Sequence, residues 1–182
     1  MTWSNNYTLR ELEWNDLDLV LEWRNKDHIR LNMYHDRVIT LQEHLHWFRR
    51  IIKNPENVYL VFEKNKTPLG LVCFTDINRE NSLSQWGFYL GEEGLPKGTG
   101  MILGCLALEY AFEKLELRKV CGEVLGFNIA SQRFHEKLGF VKEGCLSRHV
   151  LKRGKYEDVI IYALFRDKWW ENRIAIEQQL ST

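Results

Sequence analysis

Very little interrupts this chain. It has only three prolines in 182 residues, no low-complexity tract and no internal repeat, so nothing reads as a linker and one domain is expected over residues 1–182. No apolar run approaches the ~18 residues a membrane span needs. The N-terminal stretch also lacks the basic segment and apolar run of a signal peptide. An excess of one charge is missing too: 25 basic residues cancel 25 acidic ones, which argues against nucleic acid or a membrane surface as a partner held by bulk electrostatics. The four cysteines, Cys73, Cys105, Cys121 and Cys145, form no C-x-x-C pair and sit in apolar runs. They are expected to be reduced and buried in a cytoplasmic protein, with no metal site and no disulfide.

What is present patterns clearly into elements. "YTLRELE" alternates as a strand, and "NDLDLVLEWRN" reads as a helix with Asn15 or Asp16 as its cap. Thr40 and Glu43 make a capping box ahead of Leu41, Leu45, Phe48 and Ile52, which predict one apolar helical stripe. Three strand-like runs follow, "VYLVFE", "LGLVCFTDI" and "SQWGFYLG", the first two joined by a turn at "KNKTP". A helix from Met101, the strand "RKVCGEVL" and a helix closed by Gly139 come next. A hairpin around Arg153-Gly154-Lys155 and a terminal helix, with Trp169 and Trp170 expected in the core, complete the order β-α-α-β-β-β-α-β-α-β-β-α. That order is a mixed α/β or α+β layer with at least one strand–helix–strand crossover.

The crossover contains "LPKGTGM". Gly98 and Gly100 permit a tight turn and close approach of a ligand, and the N–H groups of Lys97, Gly98, Thr99, Gly100 and Met101 would be free at a helix N-terminus, where an anion is favoured. The stretch is neither a Walker loop nor a dinucleotide fingerprint, because no Gly-Lys-Ser/Thr follows and Leu103 occupies the third glycine position.

About 30 residues on, Asn128, Phe134, Gly139 and Phe140 fall in the pattern N-x-x-[AS]-x-x-x-[YH]-x-K-x-G-F. With the glycine loop, this resembles the Gcn5-related N-acetyltransferase superfamily over roughly residues 7 to 165. The resemblance implies a central mixed, mostly antiparallel sheet of about seven strands with helices on both faces. It implies acetyl-CoA as cosubstrate, in a cleft between the strand ending near Leu90 and the strand 119–125. The residues expected around it are Phe88, Tyr89 and Leu90 on the first strand, Lys97 to Met101 in the loop, and Asn128, Phe134 and Lys137 on the later helix. One departure is Leu95, where the family usually has Gln or Arg. A second is His135, which stands at the position of the usual Tyr and is expected as the acid for the leaving thiolate. Glu123, near the end of its strand, is the candidate base for the amine, and an amide between Phe88 and Leu90 the candidate oxyanion donor.

"LEWRN", "NMYHDRVITLQEHLHWF" and "GEVLGFN" are further similar to the nucleotide-sugar N-acetyltransferases of the pseudaminic acid pathway. That similarity implies acetylation of the 4-amino group of a UDP-linked amino-dideoxy sugar, with Arg24, Asn25, Met33, Tyr34, His44 and Leu125 around the substrate. The chemistry suits such a ligand, since Arg24 offers a planar fork of donors to a diphosphate or a uracil edge. Met33 and Tyr34 offer apolar surface to a base or deoxysugar. The alternatives are a ribosomal-protein-type or small-amine acetyltransferase, and a CoA-binding domain without turnover. A homodimer is compatible with the sequence but not indicated by it.

Overall fold

Turn chemistry explains where the chain reverses. The computed structural model describes residues 6–180. Strands β2 (Val58–Lys64) and β3 (Thr67–Asn78) meet at a two-residue turn whose residues Asn65 and Lys66 have φ of 49° and 66°, matching the twist of a tight hairpin. The turn is narrower than the expected break, because Thr67 and Pro68 already pair with β2. Pro68 is tolerated there because the ladder shifts register at Phe62/Glu63. Strands β6 (Val141–Lys152) and β7 (Lys155–Phe165) turn at Arg153 and Gly154, as the sequence indicates.

With β1 (Tyr7–Glu11), β4 (Leu83–Leu90) and β5 (Lys119–Leu125), these strands form one seven-stranded sheet in the order β1-β2-β3-β4-β5-β7-β6. Only β4 and β5 run parallel. Alternation along β2 sends Leu60 and Phe62 to one face, beneath Leu103 and Leu108 of α4 (Thr99–Glu109) and Trp169 of α6 (Arg166–Leu180). Val61 goes to the other face, beneath Val20 and Trp23 of α1 (Leu17–Asn25) and Ile29 of α2 (Asp27–Arg30). Helices therefore cover both faces, as expected. No described helix is long and apolar enough to cross a membrane.

Three local expectations are corrected. Asp16 occupies the N-cap position of α1 but makes no side-chain capping bond there: its carboxylate turns back to accept from Glu13 N–H (2.9 Å) and from the Arg10 guanidinium, closing the one-turn helix Trp14–Asp16. Helix α3 (Leu41–Ile51) carries the Thr40/Glu43 capping box, but buries His44, Phe48 and Ile51 and leaves Leu41 and Ile52 exposed. Its inner face is turned because α3 walls a cavity, not only the core. Of the cysteines only Cys105 is buried; Cys145 is exposed on β6, the uncovered edge strand.

Candidate active site

Strands β4 and β5 pair for three residues only, Leu83–Gln85 with Lys119–Cys121, and then part. From Trp86 onward β4 loses its neighbour on that side, which leaves its edge open as the sequence-expected stretch Phe88–Leu90 requires. A cavity of about 880 Å³ fills the gap and continues beneath the N-terminal helices. Phe88, Tyr89, Leu90, Gly100, Asn128 and Phe134, all expected around the cosubstrate, line the part of it between β4 and the segment after β5.

The glycine loop forms an anion cradle with one correction. Gly98 takes the left-handed conformation (φ 93°) at the N-cap of α4. Thr99 N–H donates to Pro96 C=O (3.1 Å), as does the Thr99 hydroxyl (2.8 Å), so this amide is spent within the loop and is not free as expected. Ile102 N–H donates to Gly98 C=O, while the N–H groups of Lys97, Gly98, Gly100 and Met101 have no acceptor among the described residues. Open amides at a helix N-terminus suit a phosphate. Lys97 and Lys137 are exposed and, like Met101, are not among the residues that line the cavity. Helix α5 (Ile129–Lys137) starts at Asn128, whose side chain accepts from Ser131 N–H (3.1 Å). It packs tightly on α4 because Gly104 leaves room: a Cβ there would come within 2.9 Å of the Phe134 ring. The free amides, the open strand edge and the cavity between them fit an extended pantetheine with a pyrophosphate at one end.

The other half of the cavity is roofed by residues 31–40. Its backbone is held from several directions: Arg24 donates to His35 C=O (2.8 Å), Arg30 to Asp36 C=O (2.6 Å), and Lys152 Nζ to Met33 C=O (2.7 Å). Asn25 was expected against substrate. Instead its amide bonds both the C=O (2.9 Å) and the N–H (2.8 Å) of Ile39, and it does not line the cavity. Met33, Leu125, Arg24 and His44 do line it. His44 is buried (3% exposed), stacked on Trp47, and burial lowers its pKa. Two buried nitrogens here, Arg24 Nη1 and His44 Nε2, have no hydrogen-bond partner among the described residues. Glu123 projects from β5 into the cavity mouth, where the Tyr34 hydroxyl donates to its carboxylate. Tyr34 is held protonated, first by burial and then by that bond.

His135 was expected to protonate the thiolate, and its surroundings argue against that role. It is 2% exposed, and both ring nitrogens are committed. Ser131 C=O can only accept, so Nδ1 carries the proton of the 2.8 Å bond to it. Trp86 Nε1–H can only donate, so Nε2 is the acceptor of that 3.1 Å bond. Burial lowers the pKa further and keeps the ring neutral. Neither Trp86 nor Lys152 was singled out from sequence. Trp86 sits two residues before Phe88 and so shares its face, but Lys152 is 119 residues from its partner and no local signal marks it.

Known proteins with this arrangement belong together. The acetyltransferase (GNAT) domain family matches residues 6–141. Spermidine N(1)-acetyltransferase of Vibrio cholerae is 27% identical over 167 residues, covering 91% of this chain and 96% of that one. Acetyltransferase PseH of Campylobacter jejuni is 25% identical over 135 residues, 74% of this chain and 82% of that one. The crystal structure of the Vibrio cholerae spermidine enzyme with CoA and spermine superposes with a TM-score of 0.85 at 26% identity, covering 91% and 98% of the two chains. A sheet that splays at its one parallel pair, with open amides at the following helix and a family match across the whole cleft, makes this chain a GNAT-family acetyl-CoA-dependent N-acetyltransferase.

Proposed function

We propose that the amine acetylated is carried by an anionic nucleotide sugar: the 4-amino group of a UDP-linked amino-dideoxy sugar, in the cytoplasmic assembly of pseudaminic acid. The observation that carries this reading is Arg24. Its guanidinium is half-buried in the acceptor half of the cavity with Nη1 buried and unpartnered, a cost the fold bears without any carboxylate to offset it. A phosphate or a uracil carbonyl would complete it. Arg37 and Glu43 neutralise each other (2.6 Å), which leaves Arg24 and Arg50 against Glu123 along the cavity wall, so the wall agrees in sign.

Acetyl-CoA supplies the activated acetyl group when bound. Gly100 and Met101 N–H groups would hold its pyrophosphate, and the open edge Phe88–Leu90 its amides and thioester carbonyl. Glu123 removes a proton from the substrate ammonium, oriented by Tyr34. The freed amine attacks the thioester carbonyl, the carbon–sulfur bond breaks, and the proton released by the new amide nitrogen passes to the departing sulfur, which leaves as the thiol.

A second reading, polyamine acetylation, is favoured by the full-length likeness to the spermidine enzymes. A steady-state panel separates the two: UDP-4-amino-dideoxy sugar, other UDP-amino sugars, spermidine and N-terminal peptides, each with acetyl-CoA. The expected outcome is kcat/KM for the nucleotide sugar about 10²-fold above spermidine, with Arg24→Ala raising its KM by at least about tenfold. Turnover of spermidine or peptides alone would sink the proposal.

A further inference from the structure

His135 lost its expected role as an acid, yet it sits at a mechanically decisive place. The last paired residues of the splayed strands are Gln85 and Cys121, so Trp86 and Gly122 are the first residues beyond the vertex of the cleft. The side chain of Trp86 and that of His135, which comes from α5, meet directly over Gly122. A Cβ added at Gly122 would lie 2.7 Å from His135 Nε2 and 2.8 Å from Trp86 Nε1. Glycine is therefore required at that point of β5 for the pair to form.

Each ring is also supported from behind. Trp86 stacks on Phe140 (5.1 Å, 12°), and His135 stacks on Tyr162 (5.2 Å, 24°), the β7 residue paired with Gly122. The Nδ1–H bond to Ser131 C=O sets the imidazole's tautomer and tilt, which presents Nε2 to the indole N–H. Trp86 is 6% and His135 2% exposed, so the bond between them lies away from water, where exchanging it for a bond to solvent is costly.

We infer that the Trp86–His135 hydrogen bond is a tie across the vertex of the cleft, which sets the separation of the β4 arm from the β5–α5 arm and thereby the affinity for acetyl-CoA. Both are positioning residues. The pantetheine must lie between the two arms, on the open edge of β4 and beside Phe134, one residue before His135 on the same helix. A change of a few tenths of an ångström at the vertex is magnified along arms that share no further pairing. The tie bears on the cosubstrate alone, so its test needs no knowledge of the acceptor amine.

Equilibrium binding of acetyl-CoA by calorimetry, with thermal unfolding measured alongside, tests this on the full chain. Trp86→Phe keeps a flat ring and removes the N–H; His135→Leu removes the acceptor; Gly122→Ala drives the two rings apart. Each is expected to raise the Kd for acetyl-CoA by about tenfold. His135→Gln, whose side-chain carbonyl can still accept from Trp86, is expected to stay within about threefold of the parent. Wild-type Kd in both Trp86→Phe and His135→Leu, with only the Tm lowered, would overturn the inference and leave the pair as core packing. If His135→Leu fails to fold, Trp86→Phe decides by itself. A catalytic His135 would show the opposite split, unchanged acetyl-CoA affinity and lost turnover that His135→Gln does not restore.

Discussion

Glu123 and Tyr34 concentrate the chemistry at the residue scale. One comes from a strand and the other from a roof loop 89 residues earlier, and only the fold joins them. Glu123→Gln retains an oxygen that accepts from the Tyr34 hydroxyl but removes the proposed base. Turnover at saturating acetyl-CoA and acceptor is therefore expected to fall by ~10²-fold with little change in stability. An unchanged kcat would place the base elsewhere. Arg24, Met33 and His44 were legible as pocket residues because the N-terminal stretch follows a recognisable pattern. Asn25, next to Arg24 in that pattern, was not separable from it. Its amide is spent on Ile39, 14 residues away, and nothing in the local sequence distinguishes a side chain that touches a ligand from one that holds the loop around it.

Among the elements, the best-read was α3, whose cap is local chemistry: Thr40 and Glu43 bond each other's backbone within a single turn. Thr40→Ala is expected to cost ~1 kcal/mol in a urea titration. Its buried face was misread because a heptad-like stripe records which residues are apolar, not what stands opposite the helix. Here a cavity stands opposite, and His44 is turned inward. The roof over that cavity depends on a long-range contact as well. Lys152, at the tip of the β6–β7 hairpin and 5% exposed, donates to Met33 C=O and pairs with Asp36 (3.1 Å). Lys152→Met fills the same space without either bond. It is expected to raise KM for the acceptor several-fold while leaving KM for acetyl-CoA unchanged, because only the segment 31–40 loses its anchor. Equal changes in both KM values would mean that the hairpin supports the whole cleft.

For the molecule as a whole, the buried histidines give stability a pH slope. Burial lowers the pKa of both His44 and His135 below the ordinary value near 6.5. The unfolded chain therefore binds more protons than the folded one below that pH. Their contribution is complete above about 6.5 and is lost as pH falls from there toward the folded-state values. Urea midpoints are expected to drop between pH 7.5 and 5.5, and the drop should shrink in His44→Gln. A flat profile across that interval would mean that neither ring is held neutral.

Strand alternation, turn residues, the capping box and the two glycine-anchored segments determine the order of elements and the family, because each depends on neighbours a few positions apart. Tertiary structure alone decided three things. It parted β4 from β5 after three residue pairs, it left one arginine nitrogen buried beside the cavity without a partner among the described residues, and it made His135 Nε2 an acceptor where a proton donor was expected. The reason is the same in each case. What a polar side chain does is set by the group placed opposite it, and here those groups come from distant parts of the chain.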